Sequence, residues 1–310
     1  MKILISEFMD EAAVASLSAR FDTTYDVSLV DRNDELRAKL NDIDALIVRN
    51  RTQVNAQILA AAPKLKVVGR LGVGLDNIDL PACKARNVEV IPATGANALA
   101  VAEYVIATAM MLLRGAYSSS TSVAAGQWPR GPLSNGREIG GKTLGIVGFG
   151  GIGKLTARLA HGLGMRVVAT DPMIGAAAPV WIKTGVSWHT LDALLAESDV
   201  ISLHLPLTPD TRNLIDAARL TMMKADAVLI NSARGGLIDE TALASALRTK
   251  RLGGAALDVF EDEPLKADSA FVNCPNLILT PHIAGVTTES NTRVSSMIAE
   301  RVAAHLSSLR

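Results

Sequence analysis

Three short segments carry residue types that together can handle a proton and an anion. Asn231-Ser232-Ala233-Arg234-Gly235-Gly236 ends an apolar run and turns sharply. Asp258-Val259-Phe260-Glu261-Asp262-Glu263-Pro264 ends the next run, and Thr280-Pro281-His282-Ile283-Ala284-Gly285 ends a third. Histidine titrates near neutrality, so His282 can take and return a proton. A carboxylate beside it, Glu263, favours the imidazolium and fixes the ring. Arg234 offers a planar fork that matches a carboxylate in two hydrogen bonds and can polarise a carbonyl. Such a set suits a 2-hydroxy acid, whose hydroxyl loses a proton as its carbon loses hydride. Each residue alone has a plainer reading: a surface ion pair for Arg234, a solvated acidic turn for Glu263, a capping residue for His282.

Hydride needs an acceptor, and a second pattern supplies the place for one. Gly148-Phe149-Gly150-Gly151-Ile152-Gly153 is a G-x-G-x-x-G that follows an apolar run and opens an amphipathic helix. Gly148 allows the tight turn, Gly150 lets the backbone approach a pyrophosphate, and Gly153 lets helix and strand pack closely. The helix N-terminus then offers N–H groups to the phosphates. Asp171 ends the next strand, where a carboxylate accepts hydrogen bonds from the adenosine ribose. Pro172-Met173-Ile174-Gly175 follows without a cation to hold a 2′-phosphate, so the expected cofactor is NAD rather than NADP.

These residues must be positioned by strands. Lys2–Ile5, Ala45–Val48, Lys66–Val68 and Val88–Ile91 read as strands, with helices at Asp10–Arg20, Asn55–Ala61 and Leu80–Arg86 between them. A second series has six strands: Thr143–Val147, Arg166–Thr170, Val200–Leu203, Ala227–Asn231, Ala255–Val259 and Leu277–Leu279. Alternating strands and helices predict an α/β chain with two doubly wound parallel sheets. Six strands, the first leading into the glycine turn, suit a Rossmann domain. Helical patterns at Ala98 to about Tyr117 and at Thr288–Leu309 predict two crossings between domains. The expected division is residues 1–97 plus 288–310 for one domain and 98–287 for the other. Ser118–Gly141, rich in Ser, Gly and Pro, reads as an arm toward a second subunit.

The 310 residues exceed one compact core, and with 49% hydrophobic residues the chain can bury two. Acidic and basic residues number 31 each, so the basic excess of a nucleic-acid binder is absent. Cys83 and Cys274 form no C-x-x-C pair, and no metal site is expected. The apolar start stops at Ser6-Glu7, too short for a secretory signal. The long apolar stretch Ala98–Leu113 contains Glu103 and falls short of a bilayer span. The expected location is the cytoplasm, with no membrane and no nucleic-acid partner.

Taken together the segments resemble the D-isomer-specific 2-hydroxyacid dehydrogenase family. The matching stretches are Gly69–Asp79, the glycine turn, His204-Leu205-Pro206-Leu207-Thr208, Asn231–Asp239, Gly254–Pro264 and Pro281–Gly285. The resemblance implies Arg234 for the substrate carboxylate, His282 as acid/base and Glu263 as its partner. It implies cofactor contacts from Gly151, Ile152, Asp171, His204, Leu205, Pro206, Ser232, Ala233, Asp258 and Gly285, with Asp258 at the nicotinamide carboxamide. It implies that Val73-Gly74 binds the substrate carboxylate through backbone N–H groups. It also implies a flavodoxin-like substrate domain completed by the C-terminal helix, and a homodimer through the nucleotide domain. Formate dehydrogenases, which share the fold, have Gln where Glu263 stands. Arg-x-Gly-x-Gly-x-Asp-Asn-x-Asp, here starting at Arg70, is shared with 3-phosphoglycerate dehydrogenases. The chain stops at Arg310, so a C-terminal regulatory domain is not expected.

The substrate's remainder is less defined. Arg49, Arg51 and Arg70 follow strand ends in the first domain, and Arg130 lies on the arm, within reach of a partner. They favour a dianionic acid, yet as solvated loop charges they leave 3-phosphoglycerate, 3-sulfolactate, glycerate and simple 2-keto acids open. Glyoxylate/hydroxypyruvate reduction is an alternative, as is an NAD(H)-sensing regulator of the same fold. Epimerase chemistry lacks its Tyr-x-x-x-Lys pair, since Leu29, Thr108 and Thr121 stand four residues after the three tyrosines.

Overall fold

The strands of a parallel sheet covered on both faces are continuous apolar runs, and those runs organise this chain. A computed structural model describes residues 1–309. The chain divides into two compact units, Met1–Asn97 with the segment from Val286 onward, and Ala98–Gly285.

The first unit holds β1 (Lys2–Ile5), α1 (Glu11–Ser18), β2 (Asp22–Tyr25), α2 (Asn33–Lys39), β3 (Ala45–Val48), α3 (Ala56–Ala61), β4 (Val67–Arg70), α4 (Leu80–Ala85) and β5 (Glu89–Pro92). All its pairings are parallel, in the order β2-β1-β3-β4-β5. That is the flavodoxin-like order. Period-two alternation sorts the side chains: Ile3, Ile5, Ala45, Ile47 and Val67 face one layer, Leu4, Leu46, Val48 and Val68 the other. Asp10, Asn55 and Asp79 cap helices by accepting N–H groups of the first turn.

The second unit opens with α5 (Ala98–Arg114), which buries Val101, Val105, Ala109 and Leu112 at helical spacing. It ends at Arg114, short of Tyr117, because Gly115 turns to φ 66°. The short helix α6 (Ser120–Ala124) follows within the arm. Then come β6 (Thr143–Val147), α7 (Gly151–Gly162), β7 (Arg166–Thr170), α8 (Val180–Thr184), β8 (Ser187–Trp188), α9 (Leu191–Glu197), β9 (Val200–Leu203), α10 (Ala217–Met222), β10 (Val228–Asn231), α11 (Glu240–Arg248), β11 (Gly254–Leu257) and β12 (Leu277–Leu279). The parallel order is β12-β11-β10-β9-β6-β7-β8. This is the Rossmann arrangement with one strand beyond β11, and its switch point lies between β6 and β9. Helix α12 (Thr288–Ser308) returns to the first unit, packing Ile298 and Val302 on β4. Gly69 permits that approach, since a Cβ there would lie 2.8 Å from both side chains.

Two strands escape the sequence reading: β2 and β8, both at sheet edges. Asp22-Thr23-Thr24-Tyr25 and Ser187-Trp188 bury little, so neither shows an apolar run. Helix α2 was also unforeseen; it buries only Leu36. Among the described residues no single helix is long and apolar enough to cross a membrane.

Candidate active site

The glycine turn leaves β6 beside the switch point. Gly148 has φ 98°, and a Cβ there would lie 2.7 Å from the carbonyl oxygen of His204. A Cβ at Gly153 would overlap the carbonyl oxygen of Gly148, so helix and turn touch backbone to backbone. Gly150 caps α7 without a side-chain acceptor, leaving the first N–H groups of a twelve-residue helix to another partner. Ile152 is half-buried on the first turn of that helix. Asp171 follows β7, with Oδ2 accepting the N–H of Phe149 at 2.7 Å and Oδ1 that of Met173 at 2.8 Å. The carboxylate thus locks the turn and retains lone pairs.

His204 ends β9 and donates its backbone N–H to Val147 at 2.7 Å. Burial pushes its imidazole from 6.5 down to about 4, and Nε2 lies 3.0 Å from Ser202 Oγ. The unfolded chain therefore binds a proton that the folded chain refuses between those values. Stability contributed by neutral His204 is fully present above pH 6.5 and is lost as pH falls toward 4. The loss amounts to at most ~3 kcal/mol. Urea unfolding at pH 7 and pH 4.5 should show a smaller acid penalty in His204→Gln than in the unsubstituted protein. Equal penalties would assign the acid sensitivity to other groups.

Arg234, Glu263 and His282 lie beyond β10, β11 and β12, at the carboxyl ends of three adjacent parallel strands. Asn231 brackets the first turn: its Oδ1 accepts the N–H of Ala233 at 3.0 Å and its Nδ2 donates to the Arg234 carbonyl at 2.8 Å. Arg234 Nη1 donates to the Ala233 carbonyl at 2.6 Å. Gly235 lies against the second turn, where any Cβ would overlap the backbone of Phe260. Glu263 joins the second turn to the third. Its Oε1 accepts the Phe260 N–H at 3.1 Å, and its Oε2 is 2.7 Å from His282 Nδ1. A carboxylate only accepts, so Nδ1 carries the proton and Nε2 is left to exchange one with a substrate.

Asp258 builds the turn that carries His282. It is 1% exposed, and Oδ1 accepts the Thr280 hydroxyl at 2.6 Å and the Ile283 N–H at 2.8 Å. Oδ2 accepts the Ala284 N–H at 2.8 Å. The His282 N–H donates to the Asp258 carbonyl at 2.8 Å, with the residue held at φ 55°. Tyr104 Oη meets Thr280 Oγ1 at 2.8 Å, and burial raises the phenol's pKa. The sequence gives no role to the side chains of Tyr104 and Thr280, because the contacts of Thr280 with Asp258 and of Tyr104 with Thr280 span 22 and 176 residues.

The sequence profile of the D-isomer specific 2-hydroxyacid dehydrogenase, NAD binding domain, matches residues 106–284. The chain belongs to this family. Family members are NAD-dependent oxidoreductases, and this dehydrogenase is 53% identical to the (S)-sulfolactate dehydrogenase of Chromohalobacter salexigens over 97% of its own length and 96% of the relative's. It is 40% identical to the D-3-phosphoglycerate dehydrogenase of Mycobacterium leprae over 97% of its length, but spans only 56% of that protein. Its fold matches D-lactate dehydrogenase from Aquifex aeolicus, solved with NAD and lactic acid, at TM-score 0.84, 29% identity, and 99% and 96% coverage.

The dehydrogenase's own residues fit NAD. Cβ positions at Gly150 and Gly151 meet nothing within 4 Å, so the space beside the start of α7 is open for a pyrophosphate to approach that helix end. Ser232 Oγ, just after β10, is buried without a hydrogen-bond partner, a cost that a bound polar group would relieve. Ala233 and Gly285 lie beside it in sequence and at the third turn, both half-buried. Leu205 packs against the glycine turn, 3.0 Å from a Cβ at Gly148, and the Pro206 carbonyl accepts the Thr211 hydroxyl at 2.7 Å. Among the described residues no group of acidic, His or Cys side chains is arranged to hold a metal ion.

The remaining sequence candidates, Arg130 apart, belong to the first unit. Arg49 is half-buried; its Nη2 donates to Asn291 Oδ1 at 2.8 Å and its guanidinium lies 5.8 Å from the Phe8 ring centroid. Burial lowers its pKa and Glu7 opposes that shift. Arg51 is exposed and paired with Asp31. The Arg70 guanidinium covers Gly72, where any Cβ would overlap it. Val73 and Gly74 are half-buried in the following loop. Arg130 is exposed on the arm.

Proposed function

We propose that this enzyme transfers hydride between NAD and a D-configured 2-hydroxy acid bearing a second anionic group, with 3-sulfolactate as the leading candidate. The observation that carries the reaction is the 2.7 Å contact of Glu263 with His282 Nδ1. Bound NAD supplies the hydride acceptor. His282 takes the hydroxyl proton at Nε2 during oxidation and returns it during reduction. Glu263 stabilises the resulting imidazolium and keeps the ring from rotating. Arg234 binds the substrate carboxylate and draws charge from the adjacent oxygen. Val73-Gly74 contributes N–H groups to the same carboxylate, and Arg49, Arg51 and Arg70 answer the second anion. Asp171 binds the adenosine ribose, and Asp258 serves the nicotinamide end.

The likeness to a sulfolactate dehydrogenase supports the substrate, and stereochemistry agrees. In 3-sulfolactate the sulfur-bearing carbon outranks the carboxylate in the naming rules. In lactate and 3-phosphoglycerate the carboxylate outranks the third carbon. The S label of sulfolactate therefore denotes the same handedness in space as the D label of the others, so one geometry serves all three. A homodimer through the NAD-binding unit, in the cytoplasm, completes the reading. Exposed Met110 and Met111 on α5, Tyr117 just beyond it and Trp128 on the arm support such an interface.

Loss of NADH absorbance with 3-sulfopyruvate, 3-phosphohydroxypyruvate, hydroxypyruvate, glyoxylate and pyruvate tests the reading. The expected result is a kcat/KM for 3-sulfopyruvate at least ~100-fold above that for pyruvate, the weight of one desolvated, charge-assisted pair. Preference for glyoxylate or hydroxypyruvate would make it a reductase of small monoanions. Tight NADH binding without turnover of any of them would make it a sensor.

A further inference from the structure

Glu7 follows β1 and is buried, 4% exposed. Its carboxylate gathers four consecutive backbone N–H groups. Oε1 accepts from Arg49 and Thr52, both at 2.9 Å. Oε2 accepts from Asn50 at 3.2 Å and Arg51 at 3.1 Å. Successive N–H groups converging in this way make a concavity that binds anions. Here the chain fills it with its own carboxylate.

The loop is held on its carbonyl side as well. Buried Asn77 donates to the Thr52 carbonyl at 2.7 Å and reaches the Arg49 carbonyl at 3.4 Å. Asn77 belongs to the stretch that also contains Val73 and Gly74, so the two loops are tied together. Arg49 is thus anchored at its backbone by Glu7 and at its guanidinium by Asn291. A loop that needed only rigidity would be served by neutral groups, because burying a carboxylate is costly unless every hydrogen bond is made. With its N–H groups consumed, the loop has only its side chains to offer an external anion.

We propose that Glu7 is a positioning residue for substrate specificity: it occupies the N–H groups of residues 49–52 and thereby sets Arg49 to read the substrate's second negative charge. Glu7 itself touches no substrate. The inference rests on the dianionic substrate proposed above.

The experiment compares the unsubstituted enzyme with Glu7→Gln, Arg49→Ala and Glu7→Ala, using 3-sulfopyruvate and NADH. Glutamine turns an NH₂ group toward two of the four N–H donors and should release the loop. The expected result for Glu7→Gln is a KM raised ~10-fold or more, with kcat and the NADH dissociation constant within about twofold, since the lost interaction is one of binding. Acetate should lower the raised KM of Glu7→Ala by re-entering the vacated concavity, a rescue that a purely structural role does not give. An unchanged KM in Glu7→Gln, or kcat falling with KM and no acetate rescue, overturns the proposal. If Arg49→Ala raises the KM and Glu7→Gln does not, the positioning role falls and the substrate reading stands. If Arg49→Ala leaves the KM unchanged, the dianion reading falls and takes this inference with it. Should neither Glu7 variant fold, Asn77→Ala frees the loop from its other side and must show the same split.

Discussion

Replacing His282 with asparagine is expected to lower kcat ~10²–10⁴-fold, the usual contribution of a positioned acid/base, while NADH still binds. Asparagine suits the test because it tolerates the left-handed backbone that His282 adopts at φ 55°. The turn is held by Asp258 and not by the imidazole, so removing the ring should leave the turn in place. Glu263 keeps its Phe260 hydrogen bond and loses only its second partner. Steady-state rates and an NADH fluorescence titration measure the two sides. Substantial surviving turnover would require another proton donor, and a parallel fall in NADH affinity would mean that the ring supports the cofactor cradle.

Replacing Asp258 with alanine should cost both stability and rate. Three donors, the Thr280 hydroxyl and the N–H groups of Ile283 and Ala284, lose their acceptor inside the protein. Buried hydrogen bonds to a charged group are worth ~1.5–3 kcal/mol each and do not add fully, so a loss of ~3–4 kcal/mol is expected. The rate should fall further than stability requires, because His282 rides on the freed turn. Urea unfolding and amide exchange at Ile283 and Ala284 report the first effect. Unchanged protection at those two amides would show that the carboxylate does not hold the turn.

The parts of this structure visible in the sequence are those whose signal is local. Buried parallel strands announce themselves as apolar runs, and the glycine turn by its spacing. The chemistry of Arg234, Glu263 and His282 is suggested by residue type at strand ends, and their adjacency follows once β10, β11 and β12 are neighbours. Glu7 gave no such sign. Its partners are backbone N–H groups 42 to 45 residues away, which no side-chain identity reveals. A single acidic residue immediately after an apolar strand was the available hint. The strands β2 and β8 were invisible for the opposite reason: an edge strand can be polar, and nothing in four or two residues sets it apart from a loop.

Helix α12 has a consequence for how the chain is made. Ile298 and Val302 form part of the same apolar layer as Ile3, Ile5, Ile47 and Val67. On the ribosome those first strands emerge long before the helix that covers them, with the whole of Ala98–Gly285 synthesised in between. At ~5–20 residues per second the delay is on the order of 10–40 s. During that interval the nascent sheet exposes one face, while the middle of the chain already has everything it needs to fold. The nucleotide-binding unit thus has its whole sequence in place before the amino-terminal sheet receives the helix that covers it.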